Sequence, residues 1–116
     1  MKKLYFAPPF PQELFNGEKF KTFRLNPLDE YCEGDLISFC YPDDIEFAQA
    51  RVKKVLGNKR FGDFINEDWR GYEKFSSEEE RNRIYSNWNR IEVNDDTFMG
   101  IIIYEDFRLT GEIRKN

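Results

Sequence analysis

Phe98 to Phe107 limits the possible folds of this chain more than any other segment. Phe98, Met99, Ile101, Ile102, Ile103 and Tyr104 form a nearly continuous apolar run with β-branched residues at its centre. Such a run reads as a strand buried on both faces, because a half-exposed strand would alternate apolar with polar side chains. The sequence therefore predicts a central strand with cover on each side. A chain of 116 residues supplies that cover within a single domain, residues 1–116, with one core.

The remaining segments divide between periods of two and of 3.6. Lys3 to Ala7 predicts a first strand, stopped by Pro8-Pro9. Pro11 to Phe15 predicts one turn or two of helix ended by Gly17. Phe20 to Leu25 is strand-like, with Phe23 and Leu25 on one face and Thr22 and Arg24 on the other. Asp35 to Tyr41 and Phe47 to Leu56 predict two further strands, the second closed by a Gly57-Asn58 turn. Phe61 to Trp69 reads as a short helix or helical loop. Ser76 with Glu79 and Ser77 with Glu80 are overlapping capping boxes that start a helix to about Asn87, with Ile84, Tyr85 and Trp88 at core spacing. Thr110 to Asn116 reads as a short tail. The order predicts an α+β fold, a small mixed β-barrel flanked by two or three short helices.

The chain carries no histidine, so a Ser-His-Asp nucleophile is excluded. Cys32 and Cys40 without an imidazole leave a zinc site short of ligands, so neither metal nor cofactor is expected. No apolar run reaches membrane-spanning length and no signal-peptide pattern opens the chain; the expectation is a cytoplasmic protein, monomeric or weakly dimeric, with no membrane partner. The net charge of −4 argues against an indiscriminate nucleic-acid coat. That charge is unevenly spread. Leu28 to Ala50 holds seven acids and no base, whereas Arg51 to Arg60 holds five bases and no acid. Arg51 and Lys53 could thus share one face that tracks a phosphate backbone, although a solvated strand edge reads the same way.

Candidate chemistry concentrates in Gly17-Glu18-Lys19-Phe20-Lys21-Thr22-Phe23-Arg24, where a Gly-terminated helical turn meets a strand, followed ten residues later by Gly34-Asp35. These two elements resemble the signature of the ASCH family, a small β-barrel of the PUA-like superfamily, which includes RNA-binding domains. The resemblance runs from about Pro11 to Phe107, with Gly100 to Phe107 as the family's closing strand. It implies a pocket for a nucleobase, a nucleoside or short single-stranded RNA, lined by Lys19, Thr22 and Arg24. In members that resemble an N4-acetylcytidine amidohydrolase, the catalytic set is the motif Lys and Thr with a later Glu, which here falls on Glu73 in Glu73-Lys74-Phe75-Ser76. Phe20 stands directly after the motif Lys, where the catalytic relatives carry a second Thr or similar small residue, and Lys21 lies between Phe20 and Thr22; both change the pocket rim.

Without histidine, amide hydrolysis needs a hydroxyl activated by a neutral lysine. Thr22 would attack the acyl carbonyl, Lys19 would take its proton, Glu73 would orient Lys19 or protonate the leaving amine, and Arg24 would face the oxyanion. Lys19 as the nucleophile is the alternative. Since Lys19 and Thr22 point to opposite faces of a regular strand, the set requires Lys19 to lie before regular pleating begins. Lys21, Arg51 and Lys53 are the further candidate contacts to RNA, with Trp69 and Tyr72 as stacking platforms. A non-catalytic module for RNA or a modified nucleotide would use the same pocket.

Overall fold

The computed structural model describes residues 1–25, 27–64 and 75–115. Five strands form one mixed sheet: β1 (Lys2–Tyr5), β2 (Lys21–Leu25), β3 (Leu36–Cys40), β4 (Glu46–Arg60) and β5 (Phe98–Leu109). Among the described residues two helices accompany them, α1 (Gln12–Asn16) and α2 (Glu78–Asn89), with a 3-10 turn at Phe61–Asp63. The sheet order is β1-β3-β4-β5-β2, with β1 parallel to β3 and every other pair antiparallel. The α+β class follows the expectation.

The expected closed barrel is replaced by an open sheet whose edges are β1 and β2. Hydrophobic alternation reveals strands and their buried faces but not closure, which depends on tilt and stagger between strands. Across the open seam the Arg24 guanidinium donates to the Tyr5 carbonyl at 2.7 Å, so a side chain connects the two edges.

β5 behaves as its composition predicts. Ile102 and Tyr104 enter a core with Phe6, Leu14, Phe39 and Phe47, while Met99 and Ile101 enter a second core with Phe23, Phe61 and Tyr85. Alternate side chains of one strand thus serve two cores, one on each face. The sequence expectation that β5 is central is corrected: β4 lies in the middle and β5 next to the edge.

β4 also corrects the Gly57-Asn58 turn. The strand continues to Arg60, pairing Gly57 with Gly100 and Arg60 with Phe98. Asn58 takes φ of +70°, and the register shifts between Gly57 and Lys59. Asparagine tolerates the left-handed region, so a pair that would turn an isolated chain becomes a bulge when a long partner strand is present.

Local signals set the helices. Gly17 caps α1 at φ of +79° with its N–H on the Glu13 carbonyl. Pro11 occupies the N-cap position. At α2, Ser77 Oγ accepts the Glu80 N–H at 3.0 Å, and the Glu80 carboxylate accepts the Ser76 N–H at 2.8 Å. Of the two overlapping boxes, Ser77 with Glu80 is therefore the one that caps. The helix expected from Phe61 is a single 3-10 turn over Phe61–Asp63; the rest of that stretch, from 65 to Trp69, lies outside the described residues. The expected tail is tied down. Tyr41 Oη donates to the Glu112 carbonyl at 2.7 Å and accepts the Arg114 N–H at 2.8 Å, and Arg114 grips Asp43 through two bonds of 2.9 Å. Among the described residues no helix is long and apolar enough to cross a membrane.

A carboxylate network makes stability depend on acid. Glu46 accepts from Ser38 Oγ at 2.6 Å and from Thr110 Oγ1 at 2.8 Å. These bonds, that of Ser38 foremost, hold its carboxyl below the usual glutamate range. A depressed acid binds fewer protons folded than unfolded, so its stabilisation is full above the unfolded value near 4.3 and is lost as pH falls through the folded one. Urea melts between pH 6 and about 2.5 should show stability falling towards acid, and Glu46→Gln should flatten that slope. An unchanged slope would remove Glu46 from this role.

Candidate functional site

The helix-to-strand connection places the first of the candidate groups, Lys19. Glu18 and Lys19 both donate their N–H to the Glu13 carbonyl at 3.1 Å, which wraps the chain around the end of α1. The regular register with β5 runs from Lys21, opposite Ile103, preceded by the Tyr104 N–H on the Phe20 carbonyl at 2.9 Å. Lys19 therefore precedes the pleat and is released from the alternation that would separate it from Thr22. Its side chain is buried, 3% exposed, with Nζ 5.3 Å from the centre of the Phe6 ring.

β2 supplies the next two groups. Thr22 and Arg24 are two apart and share a face. Arg24 Nε donates to Thr22 Oγ1 at 3.1 Å, and its guanidinium lies 4.5 Å from the Phe6 ring centre. Phe6 thus carries the Lys19 amine and the Arg24 guanidinium against its ring, and the guanidinium is favoured by the ring's negative face.

Lys19, Thr22 and Arg24 all line one cavity of about 370 Å³. Its other walls come from Phe6 to Pro8 after β1, from Phe10 and Pro11, and from the C-terminal end of α2 with Tyr85, Trp88 and Asn89. The size lies within the range of small-molecule sites, which combine apolar walls with a few placed polar groups. Trp88 Nε1 donates to the Pro8 carbonyl at 2.9 Å and thereby fixes the indole against the loop after β1. Asn89 is oriented by its own helix: Nδ2 donates to the Tyr85 carbonyl at 2.8 Å, which leaves Oδ1 pointing away from that carbonyl.

A smaller cavity of about 210 Å³ adjoins the first. Tyr5, Arg24 and Asn89 belong to the walls of both. Lys3, Glu30 and Tyr31 complete its polar lining, and Leu4, Leu25 and Leu28 its apolar one. Burial, and then the neighbouring Glu30 carboxylate, raise the Tyr31 phenol above its ordinary range.

The other sequence candidates fall elsewhere. Lys21 points away from this face, its Nζ 5.6 Å from the Phe20 ring, and lines neither cavity. Arg51 and Lys53 are exposed on β4 and line neither; Arg51 Nη1 donates to the Gly34 carbonyl at 2.7 Å. Glu73, Trp69 and Tyr72 lie outside the described residues. Both cysteines are free thiols, Cys32 exposed and Cys40 buried. Among the described residues no group of three or more His, Cys, Asp or Glu could hold a metal ion.

Sequence reasoning missed the helix side of the cavity. Trp88 reads as core from its spacing to Ile84 and Tyr85, and it does pack on the second core while also forming cavity wall. The available signal was its position between Asn87 and Asn89 at the helix end, where polar neighbours mark a boundary between core and solvent.

No family model matches the chain, and no curated protein matches it. Among solved structures, it is similar to the crystal structure of protein EF3133 from Enterococcus faecalis V583, assigned to the DUF984 family. The TM-score is 0.59 at 17% identity, covering 90% of this chain and 74% of that one. This likeness is one of fold.

Proposed function

We propose that the 370 Å³ cavity binds a nucleobase or nucleoside and that the chain hydrolyses an N-acyl amide there, such as that of N4-acetylcytidine. The observation that carries this reading is the meeting of Lys19, Thr22 and Arg24 in one aromatic-walled cavity. Phe6, Phe10, Tyr85 and Trp88 suit a planar ring, and the Arg24 guanidinium suits its carbonyl oxygens. The ASCH resemblance supports the same three residues.

In the proposed reaction Thr22 Oγ attacks the acyl carbonyl carbon while the neutral Lys19 amine takes the hydroxyl proton. The oxyanion that forms is stabilised by the Arg24 charge. Collapse breaks the C–N bond, and the cytosine amine leaves with the proton from Lys19. Water, deprotonated in turn by Lys19, then attacks the acyl-threonine carbonyl; the bond to Thr22 Oγ breaks, acetate leaves, and Lys19 returns the proton to Thr22 Oγ. The resemblance gives Glu73 the part of orienting Lys19 or relaying that proton.

One observation favours a binding module without turnover. Arg24 Nε donates to Thr22 Oγ1, and a hydroxyl oxygen that accepts from a cation is a poorer nucleophile. A nucleoside or a base extruded from short single-stranded RNA would then occupy the cavity unchanged. Incubating N4-acetylcytidine with enzyme at high concentration separates the two readings. Acetate and cytidine in equal amounts are expected. Calorimetric binding with no acetate would leave the binding module, and neither binding nor turnover would overturn both.

A further inference from the structure

We propose that the larger cavity also hydrolyses N-acyl aromatic α-amino acids, with Arg90 holding their carboxylate at its mouth. This rests on the hydrolytic reading of Lys19 and Thr22, and it adds a substrate whose leaving amine is not a nucleobase.

Burial orders the groups by depth. Lys19 and Thr22 line the cavity at 3% and 2% exposure and form its floor. Arg90 lines the same cavity but is open to solvent, which puts it at the mouth. Phe6, Phe10 and Trp88 supply aromatic wall.

Two observations single out Arg90. Among the described residues nothing hydrogen-bonds to its guanidinium or pairs with its charge. It also closes α2 at φ of +56°, in the left-handed region. Glycine or asparagine fills such a place at less cost, so what arginine adds there is its side chain.

Charge points to an anion. Among the described residues no aspartate or glutamate lines the cavity, although the chain carries a net charge of −4. Arg24 is engaged with Thr22 Oγ1 and the Tyr5 carbonyl. A guanidinium can grip a carboxylate through two parallel N–H bonds. An N-acyl aromatic amino acid carries, around one carbon, an amide for the floor, a ring for the wall and a carboxylate for the mouth. Thr22 Oγ attacks its acyl carbonyl, the C–N bond breaks, and the α-amine leaves with the proton taken up by Lys19. Water then frees the carboxylic acid from Thr22 as it does in the nucleobase reaction.

The test measures acetate release from N-acetyl-L-phenylalanine and from the neutral N-acetyl-L-phenylalaninamide, with wild type, Arg90→Gln and Lys19→Met. Arg90 is exposed, so its glutamine variant should fold. Wild type should favour the acid over the amide about tenfold in kcat/KM, the size of one charge-assisted contact. Arg90→Gln should raise KM for the acid and bring the two substrates level. Lys19→Met should remove at least about a hundredfold of release from both. Equal wild-type kcat/KM for acid and amide would overturn the inference. So would an Arg90→Gln loss shared equally by the two substrates, which marks a merely structural role at the helix end. Release that survives Lys19→Met would place the reaction outside this cavity and overturn it as well. No release from either substrate, with N4-acetylcytidine still hydrolysed, would overturn this inference and leave the nucleobase reading standing. No release from any of the three would overturn both hydrolytic activities.

Discussion

Lys19→Met should remove at least about a hundredfold of acetate release from N4-acetylcytidine, the lower bound for loss of a positioned general base. Methionine keeps most of the aliphatic stem that fills space beside Phe6, so the cavity and its affinity should persist. Thr22→Ala removes the proposed nucleophile and with it the acceptor for Arg24 Nε, and should cost as much. Chemistry lost with binding retained is the pattern of groups that act in the transition state. Single-turnover assays with calorimetry on the same samples would separate the two effects. Full activity in Lys19→Met would show a buried lysine that only packs.

Phe39→Ala should be the most damaging core substitution, at about 3–5 kcal/mol. Phe39 is fully buried on β3 and sits 4.9 Å, ring centre to centre, from both Phe6 and Tyr104, with Phe47 and Phe107 beyond. Truncation removes four ring contacts and leaves a cavity between strands that the paired sheet cannot close. Domains of this size have stabilities of about 5–15 kcal/mol, so a large share would be lost. Phe6 would lose its support as well, and Phe6 carries both Lys19 and Arg24. A urea melt would measure the loss; a change below about 1 kcal/mol would mean that the site collapses to fill the gap.

The strands were legible because their signals are local. β5 showed burial on both faces, and β2 showed its two faces by alternation. Gly17 marked the end of α1, and Ser77 with Glu80 the start of α2. Closure and strand order were not legible, because they depend on pairing between residues far apart in sequence. The Gly57-Asn58 error has the same origin: what these residues do depends on Gly100 opposite them.

Half of the candidate site could be read from one segment. Lys19, Thr22 and Arg24 lie within six residues, and their convergence required only that Lys19 precede the pleat. Trp88 and Asn89 approach from more than sixty residues away. A tryptophan at helical spacing looks the same whether it faces core or cavity, and only the Pro8 carbonyl across from it distinguishes them.

Central to this account is a nucleobase held against Trp88, and the indole N–H signal of that residue tests it most directly. The chain has two tryptophans, so comparison with Trp88→Phe assigns the resonance in a proton–nitrogen correlation spectrum. Titration of the Lys19→Met variant, which should bind without turnover, with N4-acetylcytidine should shift the Trp88 indole and the Thr22 and Arg24 amides along one saturating curve. Shifts confined to Arg51 and Lys53, or an indole unmoved at millimolar nucleoside, would contradict it.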